Sequence, residues 1–124
     1  MNMKCTIVTA IACLGVPLPA QAMPSTATGE ISIAQVVDLI QRSSTDNAAR
    51  NAAMAYLAGV GEATGLLVKE ARTRASDGII CARPLGMSSD AALAALSRTD
   101  KARWQQTAAT PILVNDMMAR AGCR

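Results

Sequence analysis

Residues 47–74, NAARNAAMAYLAGVGEATGLLVKEARTR, decide the fold expected of this chain. Apolar side chains recur in this stretch at steps of three and four residues, which is the spacing of one face of an α-helix. The expected face consists of Ala53, Tyr56, Val60, Ala63, Leu67 and Ala71. Asp46 stands just before the stretch, where its carboxylate can cap the helix N-terminus. These residues predict one long helix as the centre of the fold.

Three glycines lie inside this predicted helix. Each costs up to about 1 kcal/mol relative to alanine, so their presence needs a reason. Their spacing of two and then four positions differs from the dinucleotide-binding fingerprint, and no strand is predicted before them. We interpret them as positions where a second backbone packs closely, with a glycine hinge as the alternative. The predicted helix-packing residues are Tyr56, Gly59, Gly61 and Gly65.

Cap residues and apolar spacing predict further helical segments on both sides of the long helix. Proline is favoured at the first helical position, which is where we place Pro111. Because no strand pattern competes, the expected fold is all-α, a small bundle of four to five helices. The predicted segments are Ser32 to Arg42, a helix capped by Ser88 or Ser89, a turn from Thr99 that carries Trp104, and a helix from Thr110-Pro111 to Gly122.

The N-terminal residues have the features of a cleavable export signal. Lys4 supplies a positive charge, an almost uncharged run extends to Leu18, and Ala20-Gln21-Ala22 has the small-x-small form of a cleavage site. The apolar run is shorter than the roughly 20 residues that a membrane span needs. A lipoprotein signal that ends at Cys13 is the less favoured alternative.

Export determines the expected domain organisation. We predict a signal peptide at 1–22, a flexible lead-in at 23–31 and a single helical domain at 32–124, located in the periplasm. Two of the four cysteines, Cys81 and Cys123, remain after cleavage. An even pair in an oxidising compartment indicates a disulfide. Its closed loop would stabilise the fold by roughly 4 kcal/mol; two reduced thiols are the alternative.

Composition excludes several classes of function. The chain has no histidine, which is the commonest general base and a frequent zinc ligand. Its net charge is only +3, and the basic residues are scattered, whereas nucleic-acid-binding proteins cluster them. We therefore expect neither an enzyme nor a nucleic-acid-binding protein, and no metal or other cofactor. A protein partner is expected instead, and a homodimer is left open.

The loop after the long helix is the predicted contact element. It combines a cation with apolar side chains and would be held by the Cys81 disulfide. The alternative is that Leu85 and Met87 turn inward and close the core. The partner-binding residues expected in this loop are Arg83, Pro84, Leu85 and Met87.

The order of these features resembles a known family. The segment from Ala53 to Ala63, AMAYLAGVGEA, is similar to a helix of the Rap/Tai-type immunity proteins of bacterial type VI secretion. In that family a cysteine, a nearby proline, a capped helix and a last helix ending in cysteine follow. The corresponding features here are Cys81, Pro84, the helix start at Met87-Ser88-Ser89, and the run from Ala108 to Cys123. Many members carry a second cysteine pair, which this chain lacks.

The resemblance implies an exported inhibitor that binds a secreted peptidoglycan amidase and protects the producing cell. An accessory protein of a secretion or conjugation machine is the runner-up, because it too needs only a stable exported surface. A third possibility is an acid-stress chaperone, which would expose apolar dimer surface at low pH. All three are binding functions without catalysis.

Overall fold

The computed structural model describes residues 25–75 and 78–124. Within these ranges the chain forms four α-helices and no strand, as predicted, and a disulfide joins Cys81 to Cys123. The predicted signal peptide lies outside the described residues. None of the described helices has the length and apolar character that crossing a membrane requires. The helices are α1 (Ile33–Arg42), α2 (Asn47–Arg74), α3 (Ser89–Leu96) and α4 (Ala109–Ala121), with a 3-10 turn at Lys101–Arg103.

Helix α1 forms where its caps and apolar spacing predict it. The Ser32 hydroxyl accepts a hydrogen bond from the Gln35 backbone N–H, and the Gln35 side chain accepts one from the Ser32 N–H. This capping box satisfies two N–H groups at the helix start. The apolar face packs between α2 and α3. Its buried residues are Ile33, Val36, Val37 and Ile40.

Helix α2 has the predicted bounds but not the whole predicted face. Asp46 caps it by accepting hydrogen bonds from the N–H groups of Ala48 and Ala49 at 2.8 and 3.1 Å. Of the residues expected on the buried face, Ala53 is buried, whereas Leu67 is 71% exposed. Thr64 is buried instead, and its hydroxyl donates to the Val60 carbonyl at 2.7 Å, which satisfies it inside the helix. The buried residues of α2 are Ala49, Ala53, Leu57, Thr64 and Val68.

The helix-packing assignment is wrong for the three glycines of α2. A Cβ atom added at Gly59, Gly61 or Gly65 would meet nothing within 4 Å. The close backbone approach occurs at Gly78, where an added Cβ would lie 2.5 Å from the Arg72 Cα. The loop after α2 therefore folds back tightly onto its last turns. Tyr56, the fourth predicted residue, does pack against the core.

The start of α4 also differs from the prediction. The helix begins at Ala109, so Pro111 stands at its third position, where the missing N–H is still without cost. Backbone pairing replaces the expected side-chain cap: Ile33 N–H donates to the Thr107 carbonyl and Ala109 N–H to the Ile31 carbonyl, both at 2.9 Å. At the other end Gly122 adopts a left-handed conformation (φ 66°) and ends the helix, as predicted.

Residues 26–31 of the predicted lead-in form a hydrogen-bonded turn. Thr26 is buried, its N–H donates to the Glu30 carbonyl, and its hydroxyl accepts from the Glu30 N–H, both at 3.0 Å. The Ile31 carbonyl continues this segment onto α4 through its bond with Ala109. The packed domain therefore begins at about Thr26, before the predicted boundary at Ser32.

Candidate binding surface

The loop between α2 and α3 is fastened to the end of α4 by covalent and hydrogen bonds. Cys81 forms the disulfide with Cys123. On either side, Ile80 and Arg124 exchange two backbone hydrogen bonds of 2.9 Å, and the Arg83 N–H donates to the Ala121 carbonyl at 3.0 Å. A loop held at successive residues loses little further conformational entropy when a partner binds it.

The four residues predicted to bind a partner divide into two groups. Arg83 and Pro84 are exposed. Leu85 is half-buried, and Met87 packs against the hydrophobic core. The alternative reading, in which this part of the loop closes the core, therefore holds for Met87. Of the four predicted residues, Arg83 and Pro84 are therefore the accessible ones.

A groove of about 420 Å³ lies between this loop and the C-terminal half of α2. Of the nine described residues that line it, three are basic and none is acidic, so we call it the basic groove. Val68, Pro84 and Leu85 give it apolar walls. The lining residues are Gly65, Val68, Lys69, Arg72, Cys81, Ala82, Arg83, Pro84 and Leu85.

Two carboxylates of the described surface, Glu70 and Asp116, are paired with cations outside the groove. Glu70 pairs with Arg74 at 2.6 Å, and Asp116 pairs with Arg98 and with Arg120. Burial alone would raise the pKa of Asp116, but the hydrogen bonds from Arg120 and Arg98 outweigh it and hold that pKa below its ordinary value. Within residues 25–75 and 78–124, Lys69, Arg72 and Arg83 form no ion pair.

Two residues of the basic groove were missed from the sequence. Lys69 and Arg72 belong to the basic residues that the sequence analysis describes as scattered. They lie three positions apart, so they are neighbours on one side of α2. That spacing was the available signal. Their convergence with Arg83 depends on the loop folding back at Gly78. The Asp77-Gly78 dipeptide indicates a turn there, but it does not indicate against which part of α2 the loop packs.

A second groove, of about 390 Å³, separates α2 from α4 and is predominantly apolar. Tyr56 lies at its edge with its hydroxyl 2.8 Å from the Thr110 hydroxyl. Partial burial raises the pKa of Tyr56, and the Thr110 hydrogen bond offsets only part of that effect. Leu67 lines the groove, and the adjacent Leu66 is 67% exposed. Among the lining residues are Gly59, Val60, Ala63, Thr64 and Val114.

Neither groove has the composition of a metal site. In the part of the chain that the structure describes, no group of three histidine, cysteine, aspartate or glutamate residues is placed to hold a metal ion. What the basic groove offers is fixed positive charge beside apolar walls. Comparisons of the chain with family models, with curated proteins and with solved structures found no match.

Proposed function

We propose that this chain is an exported binding protein, and specifically an immunity-type inhibitor that covers the catalytic groove of a secreted cell-wall amidase or a similar toxin. Inhibition by occlusion requires no catalytic residue in the inhibitor. It requires a stable surface whose shape exists before the partner arrives, because affinity falls when binding must first order the contact residues.

The observation that carries this proposal is the fastening of the exposed loop tip. Arg83 and Pro84 protrude from a segment held by the Cys81–Cys123 disulfide and by the Arg83–Ala121 hydrogen bond. Arginine is among the residues that contribute most often to protein–protein binding hot spots. A disulfide between these cysteines is also compatible with an oxidising compartment, such as the periplasm.

A second candidate is an accessory protein of a secretion or conjugation machine. The observation in its favour is the apolar groove between α2 and α4, which the exposed Leu67 lines. A component of a larger assembly contacts more than one neighbour, so it needs more than one such surface. An inhibitor of a single toxin needs only the loop.

The first test measures peptidoglycan hydrolysis. Secreted proteins of the producing bacterium are incubated with purified peptidoglycan, and the release of soluble fragments is followed with increasing amounts of the exported protein. Inhibition should saturate at one inhibitor per toxin. The matched control variant is Leu66→Ala, which changes an exposed residue away from the loop and should inhibit equally well.

The same protein, tagged and recovered from the periplasm, separates the two candidates. A complex with a hydrolase that the protein inhibits supports the inhibitor function. Hydrolysis that stays unchanged at saturating protein contradicts it. Recovery with envelope-spanning secretion components, without any inhibition, supports the accessory role.

A further inference from the structure

We propose that the basic groove binds an acidic peptide segment of the protein partner, with carboxylate side chains lying against Lys69, Arg72 and Arg83. This inference rests on the proposed binding function and names the chemistry of the partner. It begins from the charge of the groove, which combines three cations from two separate parts of the chain and has no acidic residue among the described residues that line it.

Cations that share a groove repel one another, and a bound anion relieves that repulsion. Lys69 and Arg72 are neighbours on α2, and the disulfide-held loop places Arg83 on the same groove. On the described surface some arginines are paired, as Arg42 is with Asp38 and Asp46, and others are not; what distinguishes the basic groove is that three cations share it. The carboxylates of a ligand would pair with the groove cations in the way that Asp38 and Asp46 pair with Arg42. Arginine in particular binds a carboxylate through two parallel hydrogen bonds.

The walls of the groove favour a peptide over a nucleic acid. Val68, Pro84 and Leu85 place apolar surface between the cations, which suits a segment that alternates carboxylates with apolar side chains. Single-stranded nucleic acids bind on aromatic platforms beside a cationic track. The two aromatic residues of the chain lie elsewhere: Tyr56 faces Thr110, and the Trp104 indole donates to the Thr99 carbonyl.

The test uses the protein purified after export, with its disulfide formed. The probe is a short peptide of glutamate, leucine and serine, compared with the same peptide carrying glutamine for glutamate and with an oligothymidylate of equal negative charge. Affinity is measured by fluorescence anisotropy at two salt concentrations. The acidic peptide should bind, more weakly at high salt, and its shifts in a ¹⁵N amide spectrum should fall on residues 65–72 and 81–85.

Matched variants distinguish the groove from general positive charge. Arg72→Glu combined with Arg83→Glu should weaken peptide binding at least about tenfold, because two attractive charge pairs with the peptide become repulsive. Lys101→Glu combined with Arg103→Glu changes the net charge equally at exposed positions away from the groove and should leave binding within about twofold, as expected where exposed charges are far apart. Thermal melts confirm that both variants are folded.

Three outcomes would overturn the inference: no binding of the acidic peptide, equal loss in both variants, or tighter binding of the oligothymidylate or the glutamine peptide. The hydrolysis assay keeps this inference separate from the proposed function. If the groove variant and the unmodified protein inhibit hydrolysis equally, the inhibitor function is supported and the groove is not the surface that contacts the toxin. If the acidic peptide binds the groove but hydrolysis is never inhibited, the groove chemistry stands and the inhibitor function fails.

Discussion

Helix α1 and the C-terminal half of α2 are stabilised in different ways. Ten residues of α1 bury four large aliphatic side chains. Beyond Gly61, α2 buries only Thr64 and Val68. This second region relies on what is placed against it, namely the loop that crosses Arg72 at Gly78 and the disulfide that fastens that loop to α4. One end of the molecule is held by packing, and the other is held largely by a crosslink.

Removing the crosslink is the strongest test of this comparison. Replacing both Cys81 and Cys123 by serine should lower the free energy of unfolding by roughly 4 kcal/mol, the chain-entropy value for a loop of this length. Amide hydrogen exchange locates the effect. Protection should be lost first at Ile80, Arg83 and Arg124, whose hydrogen bonds flank the disulfide, while α1 stays protected. Uniform loss of protection across α1 and the loop would contradict the division into two regions.

A core truncation should come next in size and act on the packed end. Leu113 is fully buried on α4 within the core cluster. Leu113→Ala should therefore cost about 2–5 kcal/mol through lost transfer energy and the cavity left behind. Leu66→Ala removes the same atoms from a 67% exposed position, and its effect should stay within about 0.5 kcal/mol. Similar midpoints for the two variants in urea unfolding would show that Leu113 is not a core residue.

Replacing glycine by alanine should destabilise the protein at Gly78 and stabilise it at Gly61. Gly78→Ala places a Cβ 2.5 Å from the Arg72 Cα, a backbone atom that cannot move aside easily, so a loss of about 1–3 kcal/mol is expected. Gly61→Ala adds a Cβ in open space inside a helix and should stabilise the protein by up to about 1 kcal/mol. Thermal melting of both variants measures the difference. Destabilisation by Gly61→Ala would restore the packing role that the sequence suggested.

The contrast between these regions explains how much of the molecule could be predicted. In α1 large aliphatic residues recur at helical spacing and polar residues occupy most of the opposite face, so both the helix and its buried face were predictable. In α2 alanine and glycine occur on every side, and several stripes are almost equally apolar. The length and the capping residue of α2 were therefore predictable from the sequence, but its buried face was not. Tertiary contacts select Thr64 and Val68 over Ala63 and Leu67.

The candidate site shows the same limit. The disulfide pair followed from the cysteine count, and the loop composition indicated exposure of Arg83 and Pro84 but not the inward packing of Met87. The basic groove did not follow from the sequence, because it forms from residues more than ten positions apart that meet only when the loop folds back over α2. Likewise, the start of α4 depends on backbone pairing with Ile31 and Ile33 across the molecule. Rules that predict helix starts from neighbouring residues do not take account of hydrogen bonds to a backbone segment far away in the sequence.

Acid should lower the free energy of unfolding by protonating Asp116, which lies near the loop end of the molecule. We expect this effect to be smaller than those of the substitutions above. The pKa of Asp116 is held below the ordinary value by Arg120 and Arg98, so its ion pairs contribute stability above the unfolded-state pKa of about 3.8 and lose it as the pH falls through the lower folded-state value. Arg120 also donates to the Gly86 carbonyl, which connects this pair to the loop. Asp116→Asn should therefore flatten the acid limb of stability below about pH 4 and leave the slope near pH 7 unchanged. An acid limb equally steep in both proteins would assign the pH dependence to other carboxylates.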